Sequence, residues 1–299
     1  MRLSWLTAAA LLALVAGCTA DHAHVQDRTS PTSMPFAQAA PVHSPAPSGL
    51  DLMLQAIGGH RIALLGEMHG THEIPALAGQ LVTHYAAAHV PVLLGLEINP
   101  DEQADVDRFL GSNGDVHARD ALLAGTQWLA PFDGRDSEAM FGLIEHVRQL
   151  RGSGADIRIV YFDAHDPDMD ARNRRMADIL RAAAAQDPGA MLLVLTGNVH
   201  AMTHRPPGDL YSNGRRIEPP MTAGRYLSDL NPVSIDVSAA SGEYSACIRR
   251  DCGPRAVPER GPRASPSLQT QSPSESAWDF SLTLPQFHVS PSAVSRQLP

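Results

Sequence analysis

Four short apolar runs, each leading into acidic or histidine residues, constrain the fold of this chain more than any other feature. The runs lie at Arg61–Gly66, Val92–Glu97, Ile157–Asp163 and Met191–Gly197. The segments between them have helical periodicity, at about 74–89, 102–111, 115–125, 136–151 and 168–186. Continuous apolar strands that alternate with helices are typical of a mostly parallel central sheet with helices on both faces. The sequence therefore predicts an α/β fold.

Shorter apolar runs follow toward the C-terminus, at Val233–Val237, Tyr244–Cys247 and Phe280–Leu284. Turns separate them, so we expect a short antiparallel C-terminal extension at one edge of the sheet. Residues 253–278 are rich in proline, serine and arginine, which predicts a long exposed loop. We expect 49–299 to form a single domain.

The N-terminus has the pattern of an export signal. Arg2 precedes the apolar stretch Leu6–Val15, which is too short to span a bilayer, and this predicts a signal peptide at 1–17. The sequence Leu14-Val15-Ala16-Gly17-Cys18 resembles a bacterial lipobox, in which Cys18 becomes the lipidated first residue. The alternative is an ordinary cleaved signal with an incidental cysteine. A Pro- and Ser-rich tether at 18–48 would separate the domain from the membrane.

The residue after Cys18 also bears on localisation, because Thr19 rather than aspartate stands there. By resemblance to Gram-negative sorting rules, this favours an exported lipoprotein at the outer membrane, facing the periplasm or the surface. Acyl chains on Cys18 would be a firm anchor, since each buried methylene contributes about 0.8 kcal/mol. The membrane is therefore one expected partner.

Charge and cysteine content narrow the function further. The formal net charge is −9, which argues against a nucleic-acid partner. All 23 basic residues are arginine, so Schiff-base chemistry on lysine and a P-loop lysine are excluded. Besides Cys18, the chain has only Cys247 and Cys252. Their spacing suits a bridge across a hairpin, and an oxidising compartment predicts a disulfide.

Polar residues gather where the predicted strands end. In an open α/β sheet, ligands bind beyond the carboxyl ends of the strands. The residues at or just after these ends are Glu67, His69, Glu97, Asp163, His165, Asn198 and His200. We predict that Glu67, His69, Glu97 and His200 converge at one edge of the sheet.

Each of these residue types has a functional and a structural interpretation. His69 and His200 are candidate catalytic or ligating imidazoles, or histidines that cap and pack. Glu67 could orient an imidazole, hold a metal or act as a base, and Glu97 needs a buried partner, which could equally be an arginine. Asn198 could donate to a developing oxyanion or only hold its turn.

Further candidates lie next to these strand ends. Arg135, in a turn that opens a helix, could pair with a site carboxylate or bind a substrate anion, and His72 could face the cleft from the start of its helix. Asp163 and His165 are site candidates that could instead cap the following helix. The last candidates are the clustered Arg172, Arg174 and Arg175. Such a cluster is typical of a solvated helix face, from which one arginine could reach the site.

Three of these segments carry a family resemblance: Gly66–Glu73, Leu94–Glu97 and Gly197–Ala201. They resemble the superfamily that joins erythromycin-esterase-like hydrolases, ChaN-like haem-binding lipoproteins and the Tiki proteases. That superfamily is marked by two G-x-x-H motifs and a pair of glutamates, matched here by His69, His200, Glu67 and Glu97. The resemblance covers roughly 55–235 and implies an α/β fold.

The resemblance implies two functions of different classes. In the first, the protein is a hydrolase of an ester or amide. His69 would act as general base, or His69, His200, Glu67 and Glu97 would hold a divalent metal that lowers the pKa of bound water. In the second, it is a haem or iron-compound binder, with Tyr211 or His204 as iron ligand at a subunit interface and a homodimer as partner. We place the hydrolase first because its residue set is chemically complete.

Overall fold

A computed structural model of the chain describes residues 46–129, 133–208, 210–212, 215–219, 221–248, 251–258 and 261–294. The predicted signal peptide, Cys18 and nearly all of the predicted tether lie outside these residues. Their assignment stays a prediction.

The described strands build one large sheet and two small hairpins. The large sheet has seven strands in the order β10-β11-β7-β1-β4-β2-β3, and β5–β6 and β8–β9 are two-stranded antiparallel sheets. In chain order the strands are β1 (Ile62–Glu67), β2 (Val92–Leu96), β3 (Ile157–Tyr161), β4 (Met191–Gly197), β5 (Leu210–Ser212), β6 (Arg215–Ile217), β7 (Val233–Ala239), β8 (Glu243–Ile248), β9 (Asp251–Ala256), β10 (Ser267–Thr270) and β11 (Phe280–Leu284).

The helices lie between these strands in sequence. They are α1 (Gly49–Ile57), α2 (Glu73–Ala87), α3 (Gln103–Leu110), α4 (Val116–Leu123), α5 (Thr126–Leu129), α6 (Glu138–Gly152), α7 (Met169–Gln186) and α8 (Ala223–Tyr226). Polar N-caps fix where several of them begin: the side chains of Ser137 and Asp168 accept backbone N–H bonds at the starts of α6 and α7. The five helices predicted from periodicity are all present, and α1, α5 and α8 are additional.

Both faces of the sheet are buried. Along β1, Ala63 and Leu65 pack into the core on one face, and Ile62 and Leu64 pack into a second core on the other. This alternation is the period of two of a β-strand, and it requires helices on both sides. The predicted α/β architecture is confirmed.

The C-terminal strands match the expected antiparallel extension in part. β7 and β11 are parallel members of the large sheet, and only β10 at its edge is antiparallel. The expected antiparallel extension is present in the β8–β9 hairpin and in β10. β7 and β11 do not belong to it, because the crossover before β7 and the antiparallel β10 before β11 return the chain to the direction of β1. β9 enters the segment 253–278 and β10 lies within it, so the loop predicted there is interrupted by strands.

The remaining predicted strand, Tyr244–Cys247, belongs to the β8–β9 hairpin. Cys247 and Cys252 are directly paired in that hairpin and form a disulfide. The predicted disulfide is confirmed. Among the described helices, none has both the length and the apolar character needed to cross a bilayer.

Candidate functional site

The two histidine motifs emerge from neighbouring strands. β1 and β4 are parallel, with Glu67 opposite Gly197 in register. Their carboxyl ends therefore lie side by side, and the turns after them bring His69 and His200 to one cavity of about 260 Å³. The predicted convergence of the two imidazoles is present in the structure.

Glu67 and His69 are joined by a hydrogen bond at this edge, which becomes an ion pair when His69 is protonated. Glu67 is buried, and its Oε1 lies 3.0 Å from Nδ1 of His69. Because an ionised carboxylate only accepts hydrogen bonds, Nδ1 carries the proton and Nε2 keeps a free lone pair in the neutral ring. Gly197 leaves room for this nitrogen: a Cβ there would lie 3.1 Å from Nε2 of His69.

Glu97 lies directly beneath the cavity and is only 4% exposed. Its Oε2 accepts hydrogen bonds from the hydroxyl of Thr196 and the backbone N–H of Gly197, both at 2.6 Å. These bonds join the end of β2 to the end of β4. The carboxylate thereby fixes the turn that carries His200.

Two arginines close the other side of Glu97. Nη1 of Arg135 lies 3.2 Å and Nη2 of Arg172 lies 3.1 Å from its Oε1. Both guanidinium groups also contact Asp163, each at 2.7 Å, and Arg135 pairs with Asp133 at 2.6 Å. We call Glu97, Asp163, Arg135 and Arg172 the charge cage. It supplies the buried partner that Glu97 was expected to need.

The surroundings shift the pKa values of the two imidazoles in opposite directions. Burial lowers the pKa of His69, but the negative charges of Glu67 and Glu97 outweigh burial and raise it above its usual value. For His200, burial is the largest influence and lowers its pKa, and the positive charge of Arg172 adds to this effect. His200 is therefore mainly neutral at pH 7.

The charges of the cage also fix the ionisation of its members. Burial opposes ionisation of Glu97, but the charges of His200 (protonated at low pH), Arg135 and His69 hold its pKa far below the usual range. Burial likewise disfavours the charged form of Arg135, and the adjacent carboxylates of Glu97 and Asp133 more than compensate and raise its pKa. Glu97 and Arg135 are thus both charged across the physiological range.

The ring of His200 contacts Asn173 of α7. Its Nδ1 lies 2.6 Å from Oδ1 of Asn173, and both residues are buried. Nε2 of His200 lies 3.8 Å from Oε1 of Glu97, which is too far for a hydrogen bond. His200 itself lines the cavity.

The β8–β9 hairpin forms the opposite wall of the cavity. The backbone N–H of Ser245 donates to the carbonyl of His69 at 2.8 Å, and Tyr244 and Ala246 also line the space. Gly70 permits this close approach: its φ is +69°, and a Cβ there would lie 2.7 Å from Cβ of Ser245. Apolar side chains, among them Met68 and the 42% exposed Val199, complete the rim.

Several predicted site residues lie elsewhere. His72 lines a groove between α2 and α6 and does not line the cavity, so its prediction as a cleft residue is wrong; the turn at Gly70 directs it away. His165 is exposed and has no hydrogen bond among the described residues. His204 lines a separate cavity, where its Nε2 lies 2.8 Å from Oδ1 of Asp279. The side chain of Tyr211 lies outside the described residues.

Asn198 and Arg135 are close to the site, with different contacts. The backbone N–H of Asn198 donates to the carbonyl of Glu67 at 3.1 Å, and its side chain lines the cavity. The indole N–H of Trp278 donates to the carbonyl of Asn198. Arg135 reaches Glu97 and Asp163, so of its two predicted roles the pairing with a site carboxylate is the one present.

Sequence reasoning missed Asn173 and did not single out Arg172. A signal for Asn173 was available, because Met176, Ala177 and Leu180 follow it at helical spacing and all are buried. A polar residue in phase with the apolar face of a helix must find a buried partner. Arg172 carries no comparable signal, since the neighbouring Arg174 and Arg175 face outward.

The proposed metal ligands do not fit a metal centre as arranged. Both oxygens of Glu97 are already engaged, and two guanidinium groups would repel a cation placed there. Nδ1 of His69 is occupied by Glu67. Within the described part of the chain, no group of three or more His, Cys, Asp or Glu side chains is placed to hold a metal ion.

Haem fits no better on the described residues. Of the two candidate iron ligands, His204 has its Nε2 engaged by Asp279, and the other, Tyr211, cannot be placed. The cavity around His204 is lined largely by polar side chains, whereas a porphyrin needs an apolar slot.

Comparisons with known proteins find similar structures but no similar sequence family. No family profile and no curated protein matches the sequence. A mutant of erythromycin esterase EreC in its open conformation matches the structure over 82% of this chain and 95% of that chain, with a TM-score of 0.59 and 11% identity. The chain is therefore similar in fold to erythromycin esterase EreC.

Two further solved structures are similar in fold to this chain. A succinoglycan biosynthesis protein matches over 81% of this chain and 92% of its own, with a TM-score of 0.57 and 11% identity. A Bacillus cereus protein matches over 84% of this chain and 95% of its own, with a TM-score of 0.55 and 12% identity. The α/β fold implied by the motifs is therefore confirmed, and at this level of identity the likeness concerns the fold alone.

Proposed function

We propose that the protein hydrolyses an ester or amide bond, with His69 as the general base. The observation that carries this proposal is the 3.0 Å pair between Nδ1 of His69 and Oε1 of Glu67. A carboxylate in this position orients the ring and stabilises the imidazolium that forms when Nε2 takes a proton. The raised pKa of His69 makes it the stronger base of the two imidazoles.

The reaction then needs only water and these side chains. A water molecule in the cavity gives a proton to Nε2 of His69 while its oxygen bonds to the carbonyl carbon, and the carbonyl oxygen becomes an oxyanion. When the oxyanion collapses, the bond to the leaving alkoxide or amine breaks. Protonated His69 returns its proton to that leaving group, so the enzyme is regenerated.

Other residues of the site support this chemistry from fixed positions. The Asn198 side chain lines the cavity and is the candidate donor to the oxyanion. Glu97 and the rest of the charge cage hold the turn that carries His200. The apolar rim at Met68, Val199 and Tyr244 favours a substrate with an apolar group beside its carbonyl.

Hydrolysis of nitrophenyl esters of short fatty acids, and of the matching anilides, tests the proposal. We expect His69→Ala to lower kcat at least 100-fold, the range of a lost general base. The control is His72→Ala, which removes an exposed histidine of the same loop that does not line the cavity. No turnover on any ester or amide, or equal loss in both variants, would contradict the proposal.

Metal and haem are tested on the same purified protein. Metal analysis of the active protein, and a haem titration followed in the Soret region, separate the alternatives. The proposal expects turnover without stoichiometric metal and no Soret shift. Haem binding that survives His69→Ala and His200→Ala, with no turnover, would favour the iron-binding function instead.

We also propose that acyl chains on Cys18 hold the protein at the outer membrane. The lipobox-like sequence and the absence of aspartate after Cys18 support this. Radiolabelled fatty acid should enter the wild-type protein in a Gram-negative host and not the Cys18→Ser variant. Membrane fractionation should then recover only the acylated form with the outer membrane.

A further inference from the structure

Asn173 is a buried polar residue that the hydrolytic steps above do not use. It lies in α7, is 0% exposed, and faces the same core as Met176 and Leu180. A buried amide costs stability unless its groups are hydrogen-bonded. Each of its polar atoms has a partner, and these partners decide how the side chain is oriented.

The backbone fixes which way the amide of Asn173 points. Its Nδ2 donates to the carbonyl of Met169 at 2.8 Å, and its Oδ1 accepts from the backbone N–H of Ala223 at 3.1 Å. If the amide were flipped, its NH₂ would face the N–H of Ala223 and its oxygen would face the carbonyl of Met169. Both contacts would be repulsive, so only one orientation satisfies the two backbone groups.

This orientation determines the protonation of His200. Oδ1 of Asn173 lies 2.6 Å from Nδ1 of His200, and an amide oxygen can only accept. Nδ1 must therefore carry the proton. In the neutral ring Nε2 then has a lone pair, and this nitrogen is on the side of Glu97 and makes no hydrogen bond to it.

We infer that Asn173 is a positioning residue that holds His200 in the Nδ1–H tautomer and so presents its Nε2 to the cavity as a hydrogen-bond acceptor. The tautomer follows from the contacts alone. Its consequence for catalysis rests on the proposed hydrolytic function.

That consequence concerns the attacking water. Glu67 leaves Nε2 of His69 as an acceptor, and Asn173 leaves Nε2 of His200 as a second one. Both rings line the same cavity. In this proposal, one water donates its two hydrogens to the two nitrogens. Its oxygen lone pair then points away from both rings, toward the carbonyl carbon. His69 takes the proton, and His200 orients the nucleophile.

The tautomer can be measured directly by long-range ¹⁵N–¹H NMR on protein labelled at histidine, with the His200 signals assigned from the His200→Gln spectrum. We expect a protonated, pyrrole-type signal at Nδ1 and a lone-pair, pyridine-type signal at Nε2 in the wild type. Protonation at Nε2 in the neutral wild-type ring would overturn the proposal. This measurement is made on the wild-type protein and needs no substrate; the His200→Gln variant serves only for the assignment.

Two variants then test the role of Asn173. In Asn173→Leu we expect mixed tautomers of His200 and a fall in kcat on the order of 100-fold, with KM changed little, because the nucleophile loses its orientation. Asn173→Asp keeps an acceptor against Nδ1 and should retain the tautomer and most of the kcat, at a cost in stability because its second oxygen faces the carbonyl of Met169. The control, Arg175→Gln, changes an exposed residue on the same helix.

The outcomes separate this inference from the proposed function. If Asn173→Leu keeps both the Nδ1–H signature and the wild-type kcat, the positioning role is wrong even though the hydrolase remains. If the protein turns over no ester or amide but His200 is protonated at Nδ1 through Asn173, the assignment of the tautomer stands and only the hydrolytic consequence falls.

Discussion

Nδ1 of His69 lies 3.0 Å from Oε1 of Glu67, the residue that ends β1 two positions earlier in the chain. Removing the charge of Glu67 by Glu67→Gln should lower kcat about 10- to 100-fold, because the imidazolium loses its partner. It should also lower the pKa of His69, whose raised value depends on that carboxylate. The measurement is the pH dependence of kcat/KM for ester hydrolysis.

The sign of this pH effect follows from the role of a base. His69 must be unprotonated to act, so activity rises as pH passes its pKa, and in the wild type this rise should lie above the ordinary value of 6.5. In Glu67→Gln the rise should move to lower pH while the plateau falls. Glu73→Gln, which removes a carboxylate paired with the exposed His288, is the control. An unchanged acid limb in Glu67→Gln would contradict the pairing.

Glu97→Gln should destabilise the fold by about 3–5 kcal/mol, the cost of breaking a buried ion pair by removing one partner. The amide would leave Arg135 and Arg172 with less negative charge, and its NH₂ would oppose the N–H of Gly197. Urea unfolding followed by circular dichroism measures this. Glu145→Gln, which removes a more exposed carboxylate paired with Arg148, should cost less than about 1 kcal/mol.

The pKa of Glu97 also predicts how the stability of the fold depends on pH. The pKa of Glu97 is lower in the folded protein than its ordinary value of 4.5. Its contribution to stability is therefore complete above that value and is lost as pH falls toward the folded pKa. Between pH 5 and pH 3 the wild type should lose stability more steeply than Glu97→Gln. Parallel curves would mean that Glu97 is not charged in the folded state.

The sequence predicted most of the sheet edge because the chemistry there follows chain position. A residue at or just after the end of a buried strand lies at the carboxyl edge of the sheet, and Glu67, Glu97 and His200 all do. Residues on helices are different, because a helix can rotate about its axis. Which of the arginines near Asn173 reaches Glu97 depends on how Met176 and Leu180 pack, and local periodicity does not determine that contact.

The C-terminal half was harder to predict for a related reason. The sequence shows that β7 and β11 are strands, but their direction depends on the path of the connections before them. The opposite wall of the cavity shows the same limit, since Ser245 is far from His69 in sequence and meets it through one backbone hydrogen bond. Local periodicity carries no information on such contacts.

The disulfide between Cys247 and Cys252 should matter for substrate binding more than for the chemical step. It closes the hairpin whose residues Tyr244, Ser245 and Ala246 line the cavity. Cys252→Ser, or reduction, should cost roughly 2 kcal/mol of stability, as expected for a short loop. We expect KM to rise several-fold with a smaller change in kcat. A reductant should have no further effect on Cys252→Ser, and an unchanged KM would show that the wall does not contact the substrate.

Gly70→Ala should be far more damaging than its size suggests. A Cβ at Gly70 would lie 2.7 Å from Cβ of Ser245 and 2.9 Å from Cα of Gly134, and its φ of +69° is strained for alanine. The turn that carries His69 would have to move off the hairpin, so we expect a loss of about 1–3 kcal/mol in stability and a large fall in kcat. Gly142→Ala is the matched control, because nothing lies within 4 Å of a Cβ in that helical position. It should leave kcat unchanged and raise stability by about 0.5–1 kcal/mol, since alanine favours the helix. Thermal unfolding and ester hydrolysis measured on the pair check both expectations, and equal effects in the two variants would contradict the close packing of the His69 turn.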